Sequence, residues 1–577
     1  MRIHRTWQTR RSEPLPEGFE KQFGALLAPL LWARGFSSEN DALEFLNPKM
    51  DQLTSPSRLA NMDISAERLA QAIHAGEQIT VYSDYDMDGM SGMALLYSFL
   101  KEIGCQKVSH YQPHRFDEGY GVHPEAIRTL AKEGAQLIIT VDTGISANEA
   151  AKVARELGLT LIITDHHKQL GELPDTPFVL NPNQHADNSG LNFLSGAGMA
   201  MYLAIAVRAV LRNQGFFRTR PEPDLRLWLD YFVLGTVADH VSLVGDNRIL
   251  VRAGLLQFMK SERPGIKALR QKTLPNATSV SERDLGFSVI PKLNAASRLG
   301  KAHLSTELLI TENPLRAEEL ATELLSLNEE RSRIQAGVYE EALCQANEQM
   351  LSLDPPIVVV HGAWHEGVLG VVAAKLVEKF GKPSVVLTKV SEGSLLRGSM
   401  RTTDPISCIR ALEACKEMLI RYGGHTKAAG LLMEFGSIKD FSEKIWAQTK
   451  AFISELTSSL PIEYESELPK KLTLAQVEAL QEASPWGTGN PEPMFLLREL
   501  AVKNIKELGG QHIRCQIMDG CTLIGFFKAS ELNKLKSLGT QSIDALVTPE
   551  INRFRGQSTV QLRVQYVRPS QTTHFSS

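Results

Sequence analysis

The sequence contains no apolar run long enough to cross a bilayer, which takes about 20 consecutive apolar residues in a helix. Its first residues, Met1-Arg2-Ile3-His4-Arg5-Thr6-Trp7, lack the apolar core of a secretory signal. Cysteine is scarce, with 6 in 577 residues and none in a CxxC pair. These absences favour a cytoplasmic protein with reduced thiols and argue against a Cys-rich zinc site. An excess of basic charge is also missing, the net charge being -4. Phosphate binding would therefore rest on local clusters of Lys and Arg. A metal-binding acidic pocket adds negative formal charge that bound cations cancel. No internal repeat is visible. With 43% hydrophobic residues, a chain of 577 residues is expected to form about three or four packed domains.

Four short motifs stand out instead: Asp84-Tyr85-Asp86-Met87-Asp88-Gly89, Val141-Asp142-Thr143-Gly144, Asp165-His166-His167 and Gly235-Thr236-Val237-Ala238-Asp239. Each follows an apolar segment. The runs Ile79-Thr80-Val81-Tyr82, Leu137-Ile138-Ile139-Thr140-Val141 and Leu161-Ile162-Ile163 read as strands buried on both faces, as in a parallel sheet. Ligands of such sheets sit beyond the carboxyl ends of the strands, where three of the motifs fall. The fourth follows a helix-like stretch from Leu227 to Leu234. Residues 304–350 read as helix, and a second α/β unit follows with strands at Ile357–Val360 and Ser384–Leu387. Short strand-like pieces after about 465 predict a small barrel: Met494–Leu497, Ile513–Met518, Thr522–Phe527, Ile543–Val547 and Val560–Val567.

Carboxylates gathered at several strand ends repel one another, and divalent cations relieve that repulsion. Mixed carboxylate and imidazole ligands suit Mn²⁺, Mg²⁺ or Zn²⁺. Asp86 and Asp88 can reach one cation pair, Asp142 can bridge it, His166 adds a nitrogen and Asp239 closes the set. Two ions about 3.5–4 Å apart would suit hydrolysis of a phosphodiester. A lone DxDG is usually only a turn; four such motifs, each after an apolar segment, reverse that reading.

The acidic motif together with Asp165-His166-His167 resembles the DHH phosphoesterase superfamily, and Gly423-Gly424-His425-Thr426-Lys427-Ala428-Ala429-Gly430 resembles its DHHA1 companion domain. Four further segments are similar to the RecJ family of single-strand-specific 5′→3′ exonucleases: 110–121, Pro291 to Gly300, Trp364 to Gly370 and Pro485 to Pro493. The resemblance runs from about residue 18 to 568. It implies an α/β fold: a DHH parallel-sheet domain and a smaller α/β DHHA1 domain joined by a long helix, with a C-terminal OB-fold-like β-barrel. The expected boundaries are 1–60 for an N-terminal helical segment, 61–303 for the DHH domain, 304–350 for the connecting helix, 351–456 for DHHA1 and 462–568 for the barrel.

By the same resemblance, Asp86, Asp88, Asp142, His166 and Asp239 would hold two Mn²⁺ or Mg²⁺ ions, with Asp84 a further or supporting carboxylate. Asp142 and His167 would be catalytic, His167 touching the scissile phosphate or orienting a ligand. Arg115, Ser399 and Arg401 would capture the terminal phosphate, because the guanidinium fork grips phosphate bidentately. Arg298, Trp364, His365, Gly424 and His425 would also meet the strand. The alternatives are plain ones: a surface ion pair for Arg115, a helix C-cap for Gly423-Gly424, and a core plug for Trp364. In the barrel, Lys503, Lys506, Arg514, Lys528, Arg553, Arg555 and Arg563 with Phe526, Phe527 and Phe554 would track a single strand, or would form only a solvated surface over core Phe. The family pattern has glycine where this chain has Ser83 and Ser297, and a backbone with positive φ is in question at the latter.

The implied activity is metal-dependent exonuclease action on single-stranded DNA from the 5′ end, in recombination and repair. The implied partners are single-stranded DNA, a single-strand-binding protein and a helicase, with no membrane and a monomeric chain. A small-substrate phosphoesterase of the same superfamily is the alternative; such relatives generally lack the barrel and the 110–121 loop. A non-enzymatic scaffold would have lost metal ligands, and this chain keeps every one.

Overall fold

The structure is a computed structural model that describes residues 6–390, 394–402, 406–455, 461–469, 471–510, 512–517, 521–526, 528–537, 539–554 and 557–570. The described chain divides into two compact units. One is formed chiefly from Pro56–Asp239 and Gly254–Ser459, the other from His4–Ser55, His240–Ala253 and Leu460–Ser577. Among the described residues, no helix is long and apolar enough to cross a membrane.

The first unit holds two sheets. In chain order, the strands of the first are β1 (Ile79–Ser83), β2 (Val108–Tyr111), β3 (Leu137–Val141), β4 (Thr160–Thr164) and β5 (Val179–Leu180). They lie in the order β2-β1-β3-β4-β5, all parallel. Every residue of β1 and β3 is buried, as expected of strands rich in β-branched and apolar residues and covered on both faces. The register pairs Ser83 with Val141 and Val141 with Thr164. Asp84, Asp142 and Asp165 therefore leave three neighbouring strands at one level, with strands about 4.8 Å apart. Three buried helices pack beside these ends: α1 (Met87–Glu102), α2 (Gly196–Asn213) and α3 (Leu229–Ala238).

The single helical span expected over 304–350 is two helices, Ala302–Ile310 and the 39-residue α4 (Pro314–Ser352). The break is local chemistry. The Asn313 side chain accepts from the backbone N–H groups of Leu315 and Arg316, and Pro314 occupies the first helical position.

The second sheet is mixed, built from β6 (Val358–Gly362), β7 (Ser384–Lys389), β8 (Leu395–Arg401), β9 (Leu419–Gly424) and β10 (Ala428–Glu434) in the order β9-β10-β8-β7-β6. Only β6 and β7 are parallel. Gly423 and Gly424 end a strand of the β9–β10 hairpin, so the helix C-cap reading is set aside. Ser297 lies inside the helix Ile290–Arg298 and not in a left-handed turn, which answers the glycine question there.

In the second unit the N-terminal helix Phe19–Ala33 shares one core with the C-terminal strands. Leu26, Leu27, Leu30 and Leu31 pack with Val477, Leu480, Phe495 and Val547. The strands form a seven-stranded mixed sheet dominated by Ser542–Phe554 and Gln557–Pro569, both longer than their apolar centres suggested. Lys503, Lys506 and Arg514 are exposed, as is Phe526. Arg563 is already paired with Glu492 and Glu550, and Lys528 with Glu531. Met518, Phe527 and Arg555, and the side chain of Phe554, lie outside the described residues.

Candidate metal centre and anion pocket

The first motif changes from strand to helix at Asp86. Its carboxylate caps α1 by accepting from the backbone N–H groups of Asp88 at 2.9 Å and Gly89 at 3.2 Å. Asp88 sits in the first turn and is buried. Its two oxygens accept from Gly196 N at 2.5 Å and Ala197 N at 2.9 Å, at the start of α2. Asp239 caps the C-terminal end of α3. Gly235, one turn earlier, leaves the room that Asp88 occupies: a Cβ there would lie 2.5 Å from Asp88 Oδ1.

These groups converge on His166. Its Nε2 lies 3.0 Å from Asp142 Oδ1, 3.5 Å from Asp239 Oδ2 and 3.8 Å from Asp88 Oδ2. Three overlapping sets have donor atoms close enough to hold a cation: Asp84, Asp86 and Asp142; Asp88, His166 and Asp239; and Asp142, His166 and His167. Asp84 Oδ1, Asp142 Oδ1 and His166 Nε2 are all buried without a hydrogen-bond partner. Orphaned buried donors and acceptors are costly, and divalent cations held by these sets would satisfy them. The residues present thus fit Mn²⁺ or Mg²⁺ ligation.

The electrostatics agree. Burial pushes the carboxyls of Asp84 and Asp239 up to about 8, and that of Asp88 up to about 7, with neighbouring carboxylates adding to the rise. Asp142 rises well above the usual range for the same two reasons. Burial, aided by the charge of His167, lowers His166 to about 3, which keeps it a neutral ligand. Asp165 and His167 behave oppositely. Burial works against both charges, yet their contact holds Asp165 at about 2 and His167 at about 9. His167 Nδ1 is 2.7 Å from Asp165 Oδ1, while Asp165 also accepts from the backbone of Ile145, His166 and His167. Asp165 is therefore the anchor of the motif and not a ligand. The side chains of Asn181 and Asn183 hold the carbonyls of His167 and His166. His425 stacks on His167, with ring centroids 5.5 Å apart and planes 18° apart.

Beside this cluster lies a group of guanidiniums. Arg115 sits over the ring of Tyr85 at 4.9 Å and donates to Ser297 Oγ at 3.3 Å. Arg401 donates to Ser399 Oγ at 2.7 Å, and Arg298 to Gly367 O at 3.3 Å. Burial, together with the charges of Arg115 and Arg401, lowers Arg298 to about 9. Among the described residues, none of the three forms an ion pair with a carboxylate, so the surface ion pair weighed for Arg115 is absent. Three cations in mutual reach, with Asp84 and Asp86 near but in no ion-pair contact with them, make an anion pocket. Gly370 is part of it, since a Cβ there would meet Arg401 Nη2 at 2.5 Å. Gly424, at φ 138°, would push a Cβ to 2.5 Å from Ala428 O, so only glycine lets the hairpin carry His425 to His167.

Trp364 is a correction. It is only 7% exposed, belongs to the core between α4 and β6, and donates its indole N–H to Glu341 at 2.8 Å. It is a core plug rather than a stacking surface, because the indole is large and its one polar group is already satisfied. His365 caps the next short helix by accepting from Gly367 N and meets Phe116 edge-on. Asp165, Tyr85 and Tyr120 join the site without having been given a role; only their place inside the motifs marked them. Ser297, noted before only as a departure from the family's glycine, joins it as the partner of Arg115.

Three domain models match the chain: "DHH family, N-terminal domain" over 78–236, "DHHA1 domain" over 354–451 and "RecJ OB domain" over 466–566. The chain is 33% identical to the single-stranded-DNA-specific exonuclease RecJ of Escherichia coli, over 89% of this chain and 91% of that one. Against its Bacillus subtilis namesake it is 32% identical, over 94% and 67%. The fold matches the crystal structure of RecJ with Mn²⁺ from Thermus thermophilus with a TM-score of 0.82 and 26% identity, covering 99% of this chain and 80% of that one.

Proposed function

This chain belongs to the RecJ family of single-stranded-DNA-specific exonucleases, and on that premise we propose that it shortens single strands from the 5′ end, releasing 5′-mononucleotides through a two-ion centre. It is a metal-dependent hydrolase of phosphodiester bonds in single-stranded DNA. The observation that carries the finer reading is a juxtaposition: orphaned ligand atoms on Asp84, Asp142 and His166 beside the unpaired cations Arg115, Arg298 and Arg401. One half suits a divalent cation at a scissile phosphate, the other a second phosphate nearby.

Two of the three overlapping ligand sets, Asp88 with His166 and Asp239, and Asp84 with Asp86 and Asp142, would each hold one ion, which supports the two-ion reading. When bound, Mn²⁺ or Mg²⁺ supplies Lewis-acid charge for activating water and stabilising the phosphate oxygens. Asp142, 3.0 Å from His166, would be the carboxylate common to both positions. His167, held protonated by Asp165 and stacked on His425, donates to a phosphate oxygen. Arg115 and Arg401, with Ser399, hold the terminal phosphate and so set the register of cleavage. Arg298 and the hairpin at Gly424 and His425 line the same path, and the exposed cations of the OB domain suit further contacts to the strand's backbone. Backbone contacts of this kind are indifferent to sequence. Family membership also supports a cytoplasmic role in recombination and repair, for a monomer working beside a single-strand-binding protein and a helicase.

The test is a time course on single strands labelled at either end, with Mn²⁺ or EDTA, beside duplex, dinucleotide and pyrophosphate. Immediate, metal-dependent release of the 5′-terminal nucleotide, absent on blunt duplex, is expected. Turnover of dinucleotide or pyrophosphate alone would move the protein to the small-substrate branch.

A further inference from the structure

Tyr120 lies between two glycines in the left-handed region, Gly119 at φ 82° and Gly121 at φ 119°. The hydroxyl of Tyr82, a buried residue of β1, donates to Gly121 O at 2.9 Å and pins this loop. The loop delivers the Tyr120 hydroxyl to two site residues. It donates to the backbone carbonyl of Asp142 at 3.2 Å and lies 3.2 Å from His167 Nδ1. Its ring meets His167 edge to face, with centroids 5.6 Å apart.

The protons on these atoms have one consistent arrangement. His167 Nδ1, 2.7 Å from the Asp165 carboxylate, carries a proton and donates it. The Tyr120 oxygen can then only accept from His167, and its own proton goes to Asp142 O. Asp142 needs such a partner. Its φ of 62° is a left-handed conformation that non-glycine residues seldom adopt and hold only when their surroundings over-determine it. Thr164 O fixes its N–H at 3.0 Å and Tyr120 fixes its C=O.

We propose that Tyr120 is a positioning residue of the metal centre. Its hydroxyl ties the left-handed Asp142 peptide to the His167 ring, so that carboxylate and imidazole keep one relative geometry. The kinetic part of this inference rests on the nuclease reading; the metal-binding part does not.

Tyr120→Phe keeps the ring and removes one oxygen. Mn²⁺ binding to the DNA-free protein is measured by titration calorimetry, and kcat and KM on single strands at saturating Mn²⁺. Groups that orient metal ligands typically contribute about 10–100-fold to affinity or activity. We expect Mn²⁺ affinity and kcat each to fall within that range, with KM for DNA within about twofold and the melting temperature little changed. Tyr82→Phe, which frees the loop but spares Tyr120, should move the same two quantities by less. Wild-type Mn²⁺ affinity and kcat in Tyr120→Phe would overturn the proposal. A loss confined to KM would overturn it too, making Tyr120 a strand contact. If the wild-type protein left single strands intact, the nuclease reading would fail while the calorimetry still decided the role of Tyr120.

Discussion

Gly235→Ala opposes local propensity to tertiary packing at the metal centre. Gly235 is inside α3, where alanine is normally favoured by about 1 kcal/mol. Here the added Cβ would lie 2.3 Å from Ser91 Oγ, 2.5 Å from Asp88 Oδ1 and 2.7 Å from Ala197 Cβ. Carbon atoms pack at about 3.5–4.0 Å, so the Asp88 oxygen must move by about 1 Å. It cannot retreat freely, because both its oxygens are held by backbone N–H groups of Gly196 and Ala197. Overpacking of this kind costs about 1–3 kcal/mol, which offsets the propensity gain and leaves a small net destabilisation. A misplacement of about 1 Å at a reacting centre costs about 100-fold in rate. The expected result is thus a loss of about 100-fold in kcat on end-labelled single strands, with a melting temperature only a few degrees lower. Gly337→Ala on α4, where a Cβ meets nothing within 4 Å, is the control: activity should be unchanged and stability slightly raised. Full turnover by Gly235→Ala would refute the claim that this glycine seats Asp88.

The raised carboxyls make a pH prediction. Asp84 and Asp239 at about 8, and Asp88 at about 7, lie above their unfolded value near 3.9, so their stabilising contribution is complete below about pH 4 and lost as pH rises through 7–8. The melting temperature of EDTA-treated protein should fall between about pH 5 and 8, and Mn²⁺, which displaces those protons, should remove the slope; a flat metal-free profile would contradict it. Asp142→Ala should abolish hydrolysis and leave the metal-free fold intact, since it removes a carboxyl that burial already disfavours; retained turnover would end its bridging role. Arg401→Ala should raise KM for 5′-phosphorylated strands by about 10–100-fold, from a charged hydrogen bond of about 1.5–3 kcal/mol, and alter 5′-hydroxyl strands much less. An equal loss on both would argue against terminal-phosphate capture.

Much of this was legible from short-range patterns. Near-continuous apolar runs marked β1, β3 and β4, and the acidic ends of those runs marked the cluster at Asp84, Asp142 and His166. Less legible were features set by partners far away in the chain. The edge strand β2, Val108–Tyr111, has no unbroken apolar run because it is not buried throughout. The break before α4 depends on a single Asn-Pro pair. Trp364 looked free for stacking because its partner Glu341 is 23 residues earlier, on another element. Asp165 had no assigned role in the sequence, and its oxygens prove to be committed to backbone N–H groups and His167.

The sequence by itself determined the chemistry available: which acids, imidazoles and guanidiniums exist, and that parallel strands end beside them. Strand periodicity and helix caps are local, so they can be read from neighbouring residues. Tertiary structure alone decided the division of labour. Parallel register put three strand ends at one level, Gly235 and Gly196 let the helices close on Asp88 and Asp142, and the Gly424 hairpin brought His425 onto His167. Those outcomes depend on burial and on distances across the fold, which no stretch of sequence contains.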